Sequence, residues 1–221
     1  MRRRCLLCDG ETEIQSWAAF FGVKPPLLCE NCSKGLQKLT GPSCEICSRS
    51  MKETGICTDC AAWDKSIFHS NHSFYHYNDV MQDLIARFKY RGDYVLADLF
   101  AQDIRRAARE MKCDLVCPVP LSVSRLAERR FNQSEALIEP AGLQKTLLLA
   151  RRESNKQSKK SRAERVTARQ TFYPVGDASG KSVLVIDDIY TTGATMRLVS
   201  RALEQAGAVS VKSITIARSG S

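Results

Sequence analysis

Two adjacent carboxylates follow a run of aliphatic residues, and a loop of small and hydroxyl residues comes directly after them. The aliphatic run covers residues 183–186, and the carboxylates are Asp187 and Asp188. The loop ends where a helical pattern begins, so its backbone N–H groups and hydroxyls can bind a phosphate monoester. The carboxylates can accept hydrogen bonds from vicinal ribose hydroxyls. The segment therefore predicts a ribose 5-phosphate site. The predicted phosphate-binding residues are Thr191, Thr192, Gly193, Ala194 and Thr195.

Eight of the ten cysteines form four Cys-x-x-Cys pairs within residues 1–60. Two such pairs complete a tetrahedral four-thiolate zinc site, which is structural because no coordination position stays open. The sequence therefore predicts two zinc ions. A disulfide framework is the alternative, but no apolar signal-peptide stretch follows the charged start, so export is not expected. Pairing in sequence order is simplest, although nested and crossed pairings fit the spacing equally well. The predicted ligands are Cys5, Cys8, Cys29, Cys32, Cys44, Cys47, Cys57 and Cys60.

The residues around the acidic pair have the pattern of a βαβ unit. The run 183–186 suits a buried parallel strand, residues 196–206 have apolar positions at helical spacing, and residues 209–217 alternate like a strand. Gly207 can end the helix. Ligands of open α/β sheets bind beyond the carboxyl ends of the strands, which is where the acidic pair and its loop lie. A strand-turn-helix without a ligand is the alternative, and it leaves the coincidence of acids, hydroxyls and glycine unexplained.

Earlier segments predict packing elements and a second anion site. Residues 80–88 and 96–111 have helical periodicity, and the basic aromatic stretch 89–93 between them is interpreted as a solvated helix end. Residues 114–120 predict a short strand that leads into a loop with serines and arginines, which is a plausible anion site. A polar stretch with three histidines is interpreted as an exposed linker without a role. These histidines are His69, His72 and His76.

The net charge of +9 is unevenly distributed along the 221 residues. Residues 1–62 carry 8 Lys/Arg against 7 Asp/Glu, which leaves +8 for residues 63–221. We therefore expect two domains, a cysteine-rich module at 1–62 and a basic α/β domain at 63–221. Within the larger part, residues 151–169 contain eight Lys/Arg and are expected to be mobile. A positive field favours phosphorylated metabolites or nucleic acid as partners, and no apolar run is long enough to span a membrane.

Residues 183–195 resemble the phosphoribosyl-pyrophosphate motif of type I phosphoribosyltransferases. Together with the cysteine pairs, further stretches make the chain similar to the ComF family, specifically the ComFC type, over nearly its whole length. These stretches are Phe-Lys-Tyr-Arg-Gly-Asp at 88–93, Pro-Val-Pro-Leu-Ser at 118–122 and Arg-Leu-Ala-Glu-Arg-Arg-Phe-Asn-Gln-Ser at 125–134. One departure is Arg130, which stands where the family usually has glycine before Phe-Asn-Gln.

The resemblance implies a fold and a set of roles. The fold is α/β, a type I phosphoribosyltransferase-like parallel sheet flanked by helices and preceded by a small zinc-ribbon module. Asp187 and Asp188 would hold the ribose hydroxyls, the loop 191–195 the 5-phosphate, and pyrophosphate with magnesium would lie near Ser122, Arg125 and Arg129. Such a transferase positions its donor and stabilises an oxocarbenium-like transition state, so it requires no nucleophile or general base, and none is visible.

Two functions are compatible with these features. The resemblance implies a cytoplasmic protein that binds phosphoribosyl pyrophosphate and supports DNA uptake during natural transformation, beside a helicase-like partner. Single-stranded DNA is an expected partner, through phosphate contacts of residues 151–169. The alternative is an active metabolic phosphoribosyltransferase with an unknown acceptor and no DNA role.

Overall fold

The computed structural model describes residues 2–13, 21, 26–63, 66–153 and 171–220. The strands are β1 (Arg2–Arg4), β2 (Glu11–Glu13), β3 (Phe68–His76), β4 (Leu115–Pro118), β5 (Leu149–Arg151), β6 (Phe172–Pro174), β7 (Ser182–Tyr190) and β8 (Ser210–Arg218). The α-helices are α1 (Glu30–Gly35), α2 (Thr58–Ala61), α3 (Asp79–Ala86), α4 (Ala101–Met111), α5 (Val123–Arg129), α6 (Gln133–Ile138) and α7 (Ala194–Gln205). A π-helix at Arg87–Arg91 and a 3₁₀-helix at Tyr94–Phe100 connect α3 to α4.

A four-stranded parallel sheet in the order β3-β8-β7-β4 forms the centre of the molecule. β7 has a neighbour on each side, which explains why its first half is an aliphatic run rather than an alternating one. Val183 and Val185 belong to the core on one side of the sheet, while Leu184 and Ile186 belong to the core on the other. The predicted α/β fold with a parallel sheet flanked by helices is confirmed.

Each face of the sheet is covered by different helices. On one face α7 packs through Met196, Val199 and Leu203, the apolar positions that the sequence predicts for this helix. The other face is covered by α3, the 3₁₀-helix, α4 and α6, with Phe88 and Phe100 fully buried among them. Both faces are therefore closed, and the ends of the strands remain for ligands.

The histidine-containing stretch forms β3, so its interpretation as a linker is wrong. β3 runs parallel to β8, with Ser73 opposite Thr215. A buried polar network replaces apolar packing between these strands: the Ser73 and Thr215 hydroxyls lie 2.7 Å apart, and the Asn71 amide donates to Ser73 Oγ at 2.8 Å. Since the buried polar side chains of Asn71, Ser73 and Thr215 have partners, a polar sequence can form this edge strand of the sheet.

The cysteine pairs lie on short turns before β3. Cys5 and Cys8 belong to the turn between the antiparallel strands β1 and β2. The basic stretch 151–169 falls almost entirely outside the described residues, which resume at residue 171 after Glu153. In the part of the chain that is described, every helix is too short or too polar to cross a membrane.

Candidate functional site

The acidic pair lies on β7 itself. This strand continues to Tyr190 rather than ending at residue 186, and Asp187 stands opposite Thr215 of β8. The backbone N–H of Asp188 donates to Asp187 Oδ1 at 2.9 Å, and that of Ile189 donates to Asp188 Oδ1 at 3.0 Å. Both carboxyl groups are therefore held in place by the strand that carries them.

A serine from the neighbouring helix α6 also binds the acidic pair. Ser134 Oγ donates to Asp187 Oδ1 at 3.3 Å. Asn132 caps α6 by accepting the Ser134 N–H at 3.0 Å, and its amide nitrogen donates to the Val119 carbonyl at 3.1 Å. The Phe-Asn-Gln-Ser stretch of the sequence thus ties the end of β4 to the acidic pair on β7.

Lys89 forms an ion pair with Asp188, which corrects the interpretation as a solvated helix end for Lys89, whereas Tyr90, Arg91 and Gly92 are exposed as that interpretation predicts. The two side chains are only 18% and 10% exposed. Within the described residues, Asp188 Oδ2 accepts no hydrogen bond, so the Lys89 ammonium is what compensates its burial. Lys89 lies in the π-helix Arg87–Arg91, which ends at Gly92 with φ of 75°. π-turns of this kind occur often at functional sites, where they redirect a side chain.

The environment of Asp187 favours its neutral form. Burial raises the pKa of Asp187 to about 7, the negative charge of Asp188 adds to the rise, and the Asp188 N–H and the Lys89 charge oppose it. Near neutral pH the two adjacent carboxyls therefore share less than two negative charges. Such a pair can both accept and donate hydrogen bonds to sugar hydroxyls.

The predicted phosphate loop joins β7 to α7. Gly193 caps the helix with φ of 82°, a left-handed conformation that favours glycine. It also packs against the Tyr190 ring so closely that any Cβ would collide with the Tyr190 hydroxyl. The flanking residues Thr191, Thr192, Ala194 and Thr195 are exposed. An accessible loop of hydroxyls and N–H groups at the start of a 12-residue helix is suited to a phosphate.

The predicted anion site lies at the start of α5, and in this structure the Glu153 carboxylate binds there. Glu153 accepts hydrogen bonds from Ser124 N at 2.7 Å and from Ser124 Oγ at 2.6 Å, and the hydroxyls of Ser122 and Ser124 lie 3.2 Å apart. These hydrogen bonds hold the pKa of Glu153 below its usual range. The donors that we expect to bind an anion are therefore satisfied by a side chain of the same chain.

Arg151 interacts electrostatically with Asp187 and with two other arginines. Burial lowers the pKa of Arg151, the positive charges of Arg125 and Arg129 lower it further, and Asp187 opposes the shift. Arg129 donates to Gln133 Oε1 at 2.7 Å, and its guanidinium lies 5.5 Å from the centre of the Tyr90 ring. Positive and negative groups thus adjoin, as a ligand with hydroxyls and phosphates requires.

The eight paired cysteines form two groups of four. We call Cys5, Cys8, Cys29 and Cys32 the first cysteine group, and Cys44, Cys47, Cys57 and Cys60 the second. Within each group all Sγ atoms lie within 4.8 Å of one another, so the pairs combine in sequence order and the nested and crossed alternatives do not occur. The second group is fully buried in the core beside α7.

One member of the second cysteine group, Cys44, has the hydrogen bonds of a thiolate, while burial raises the pKa of Cys47 and Cys60. Desolvation acts to raise the pKa of Cys44, but backbone N–H groups of Cys57, Cys47 and Ile46 outweigh it and bring the pKa down to about 7. The Cys57 N–H lies 3.4 Å from Cys44 Sγ. Donors aimed at sulfur favour the deprotonated form, which is the form that binds metal. Both groups could hold zinc.

Sequence reasoning missed three residues of this site. Lys89 and Arg151 were assigned to a helix end and to a basic segment, and Glu153 was given no role. Their positions depend on contacts with Asp188, Asp187 and Ser124, which are distant in the sequence. The one signal in the sequence was the basic residues themselves, at 89–91 and at 151–152, which favour an anionic partner.

Comparisons with known proteins match both the domain and the whole chain. The phosphoribosyl transferase domain model matches residues 100–221. Competence protein ComFC of Bacillus subtilis (strain 168) is 37% identical, with 97% of this chain and 95% of that protein covered. Competence protein ComFC of Streptococcus pneumoniae (strain R6) is 34% identical, covering 97% and 100%. A hypoxanthine phosphoribosyltransferase structure from Staphylococcus aureus aligns with a TM-score of 0.35 and 15% identity over 55% of this chain and 62% of its own.

Proposed function

Because the chain belongs to the ComFC family, with a phosphoribosyl transferase domain over residues 100–221, we propose that it binds phosphoribosyl pyrophosphate and supports DNA uptake during natural transformation. One observation supports the choice of ligand: the acidic pair and the hydroxyl-rich loop are adjacent at the carboxyl end of β7, just before α7. The competence role is supported by the names of the relatives. We place the protein in the cytoplasm, since its described cysteines are free thiols.

Each part of the ligand has a counterpart among the side chains. Asp187 and Asp188 bind the ribose hydroxyls, and the loop 191–195 binds the 5-phosphate through backbone N–H groups and hydroxyls. The pyrophosphate faces Ser122, Arg125 and Arg129, and we add Arg151 to this set because its charge interacts with the same arginines. Lys89 pairs with Asp188 and holds this side chain at the ribose side of the site.

Transfer from such a donor depends on position and charge rather than on a nucleophile. The leaving pyrophosphate is stabilised by the arginines, and the carboxylates beside the ribose favour the positive charge that develops on the sugar. Magnesium bound with the pyrophosphate would neutralise part of its charge, and because this ion is commonly held by water and substrate phosphates with one or two carboxylates, no cage of protein carboxylates would be required. Zinc in the two cysteine groups is structural.

The ligand assignment is tested by calorimetry with ribose 5-phosphate. Replacing both Asp187 and Asp188 with Ala is expected to weaken binding by about 2–4 kcal/mol, since hydrogen bonds to charged groups contribute roughly 1.5–3 kcal/mol each and are not additive. The exposed Asp83→Ala on α3 is the matched control and should bind as the wild type does. Unchanged affinity in the double variant would refute the site. The same variant assayed for transformation in a competent host tests whether uptake needs the ligand.

The DNA role is assigned to residues 151–169, whose eight positive charges suit phosphate contacts. If about four phosphates are neutralised, log affinity for single-stranded DNA falls against log salt with a slope near roughly −3. Changing Lys156, Lys159, Lys160 and Arg162 to Glu should flatten that slope. If this quadruple variant binds DNA as before and loses only ribose 5-phosphate binding, the segment serves the small ligand. That result would favour the metabolic transferase with an unknown acceptor over a protein that works with DNA or with a helicase-like partner.

A further inference from the structure

Arg218, at the end of β8, is a buried arginine that connects the second cysteine group to the phosphate loop. Its side chain is buried, with the residue only 2% exposed. Nε donates to the Cys47 carbonyl at 3.0 Å, one terminal nitrogen lies 3.7 Å from Cys47 Sγ, and the other lies 3.4 Å from the Tyr190 carbonyl. One guanidinium thus contacts both the turn that carries a predicted metal ligand and the residue that precedes Thr191.

The charge of Arg218 needs a partner, because burying an unpaired charge is costly. Among the described ion pairs, Arg218 meets no carboxylate. The group that can supply negative charge is the second cysteine group, since a zinc ion bound by four thiolates carries a net negative charge. Arg218 therefore fits a metal-loaded cysteine group better than four neutral thiols.

The other end of this connection is Tyr190. Its carbonyl also accepts the Ser219 N–H at 2.9 Å, and its ring lies 5.0 Å from the Arg218 guanidinium. The same ring packs under Gly193, the glycine that starts α7. A displacement of Arg218 would therefore move Tyr190, and with it the loop that precedes α7.

We infer that Arg218 couples metal binding by the second cysteine group to ribose-phosphate binding by the loop 191–195. The inference rests on the proposed function and deepens it, because the metal would then stabilise the ribose-phosphate site and not only the cysteine module. Arg218 is a positioning residue: it touches neither the ligand nor the reacting atoms. Coupling between two sites is reciprocal, so the metal must tighten the ligand and the ligand must tighten the metal by the same factor.

The test measures zinc affinity of the full-length protein by competition with a chelating indicator, with and without saturating ribose 5-phosphate. Because each cysteine group would hold one zinc ion, the Cys8→Ser variant, which weakens zinc binding by the first group alone, shows which of the two measured zinc affinities belongs to the first group. In the wild type we expect ribose 5-phosphate to tighten zinc at the second group about tenfold, within the usual range of such couplings. Calorimetry on the same samples reports ribose 5-phosphate binding directly.

Arg218→Lys keeps the positive charge but loses the double contact, because one ammonium cannot reach both Cys47 and Tyr190 as the planar guanidinium can. We expect this variant to bind zinc and ribose 5-phosphate, with the tenfold effect reduced to about twofold or less. Arg201→Lys, an exposed arginine on α7, is the control and should keep the full effect.

Three results would overturn the inference. Bound ribose 5-phosphate that leaves zinc affinity unchanged in the wild type would refute the coupling while the proposed function stands, and this measurement needs no variant. A tenfold effect that persists in a folded Arg218→Lys protein would refute the role of Arg218. Calorimetry that detects no ribose 5-phosphate binding in the wild type would overturn the proposed function and the coupling with it.

Discussion

Lys89 and Asp187 show how burial determines charge around the ribose-phosphate site. Burial and the negative charge of Asp188 raise the pKa of Asp187 to about 7, although the Asp188 N–H opposes the rise. Asp188 differs because it forms an ion pair with the Lys89 ammonium. Neither difference is visible in the sequence, where the two acids are adjacent and identical in type. The chemistry of each carboxyl is set by residues 40 or more positions away in the chain.

The pKa of Asp187 predicts a pH dependence of stability. A carboxyl whose folded pKa lies near 7 instead of 3.8 binds its proton more tightly when folded, so the stability it contributes is present at low pH and is lost as pH rises from about 4 to 7. We expect the unfolding free energy of the wild type, relative to Asp187→Asn, to fall by about 2–4 kcal/mol over that interval, at roughly 1.4 kcal/mol per pKa unit. Urea denaturation at successive pH values measures this, with Asp83→Asn as control. A constant difference between wild type and Asp187→Asn would contradict it.

Lys89→Met leaves Asp188 buried without its counter-ion. The Lys89 charge also opposes the rise in the pKa of Asp187, so without it we expect that pKa to rise further and ribose 5-phosphate affinity at pH 7 to fall about tenfold, since a hydrogen bond to a charged group contributes roughly 1.5–3 kcal/mol. Raising the pH to about 8.5 should restore part of the loss, because Asp187 ionises again. Lys89→Arg keeps the charge and should lose less. Calorimetry at the two pH values decides, and equal losses at both would show that Lys89 acts only through packing.

Among the elements, the turn from α5 to α6 contains a residue that does not suit its backbone. Arg130 ends α5 with φ of 67°, in the left-handed region where an L side chain is strained. Glycine adopts this backbone conformation without strain, which is the physical reason to expect glycine rather than arginine at this turn. The turn is retained because Phe131, which follows, packs against the Phe88 and Tyr94 rings at 5.5 and 5.4 Å.

Arg130→Gly should therefore stabilise the protein. Relief of the left-handed strain is worth about 1–2 kcal/mol, and the greater freedom of glycine in the unfolded chain offsets part of it, so we expect a net gain of about 0.5–1 kcal/mol. The unfolding midpoint in urea measures the gain. Glu128→Gly, at an exposed position inside the same helix, is the control with the opposite sign, since glycine within a helix is destabilising by roughly 1 kcal/mol. A loss at both positions would contradict the strain.

The contact of Glu153 with the start of α5 makes it a competitor of the proposed pyrophosphate. Glu153→Gln removes the negative charge and keeps the length of the side chain, so we expect pyrophosphate affinity to rise about threefold to tenfold, the worth of one net hydrogen bond. Isothermal calorimetry with pyrophosphate measures this, and Glu128→Gln on the outer face of α5 serves as control. An unchanged pyrophosphate affinity would show that Glu153 does not compete with pyrophosphate, and a weaker affinity would show that Glu153 assists its binding.

The sequence predicted those elements whose pattern is set by apolar packing. The helix α7, the strand β8 and the core positions of β7 follow from aliphatic spacing, and the cysteine pairs follow from ligand chemistry. The end of β7 was placed too early because Asp187 and Asp188 interrupt the apolar run, although pairing with β8 continues to Tyr190. β3 was missed because its Asn71 and Ser73 are buried through hydrogen bonds, which no hydrophobic pattern reveals.

Considered as a whole, the molecule joins its second cysteine group to the sheet more closely than a boundary at residues 62/63 suggests. That boundary stays a prediction, but the Ile46 carbonyl accepts the Asn71 N–H at 2.6 Å and Ser48 Oγ donates to the Asn71 carbonyl at 2.7 Å. The second group also shares its core with Val183 and Val185. Zinc loss there should affect the sheet directly.

A truncation series tests this connection. A chain that begins at residue 41 keeps the second cysteine group and should fold. A chain that begins at residue 63 exposes part of the apolar core, leaves the Asn71 N–H without its acceptor and removes the contacts of Arg218 with Cys47, so we expect it to be insoluble or readily digested. Limited proteolysis and circular dichroism of both chains supply the comparison. A stable, protease-resistant 63–221 chain would show that the larger domain is independent of the cysteine groups.

The strand order β3-β8-β7-β4 has a consequence for how the protein is made. β8 is the last of these strands to leave the ribosome, yet it occupies the place beside β3, the first. Until it arrives, Ser73 lacks its Thr215 partner and the second cysteine group lacks Arg218. The nascent chain therefore carries β3 without its sheet neighbour until residues 210–218 have been made, and an unpaired strand edge of this kind is prone to aggregation.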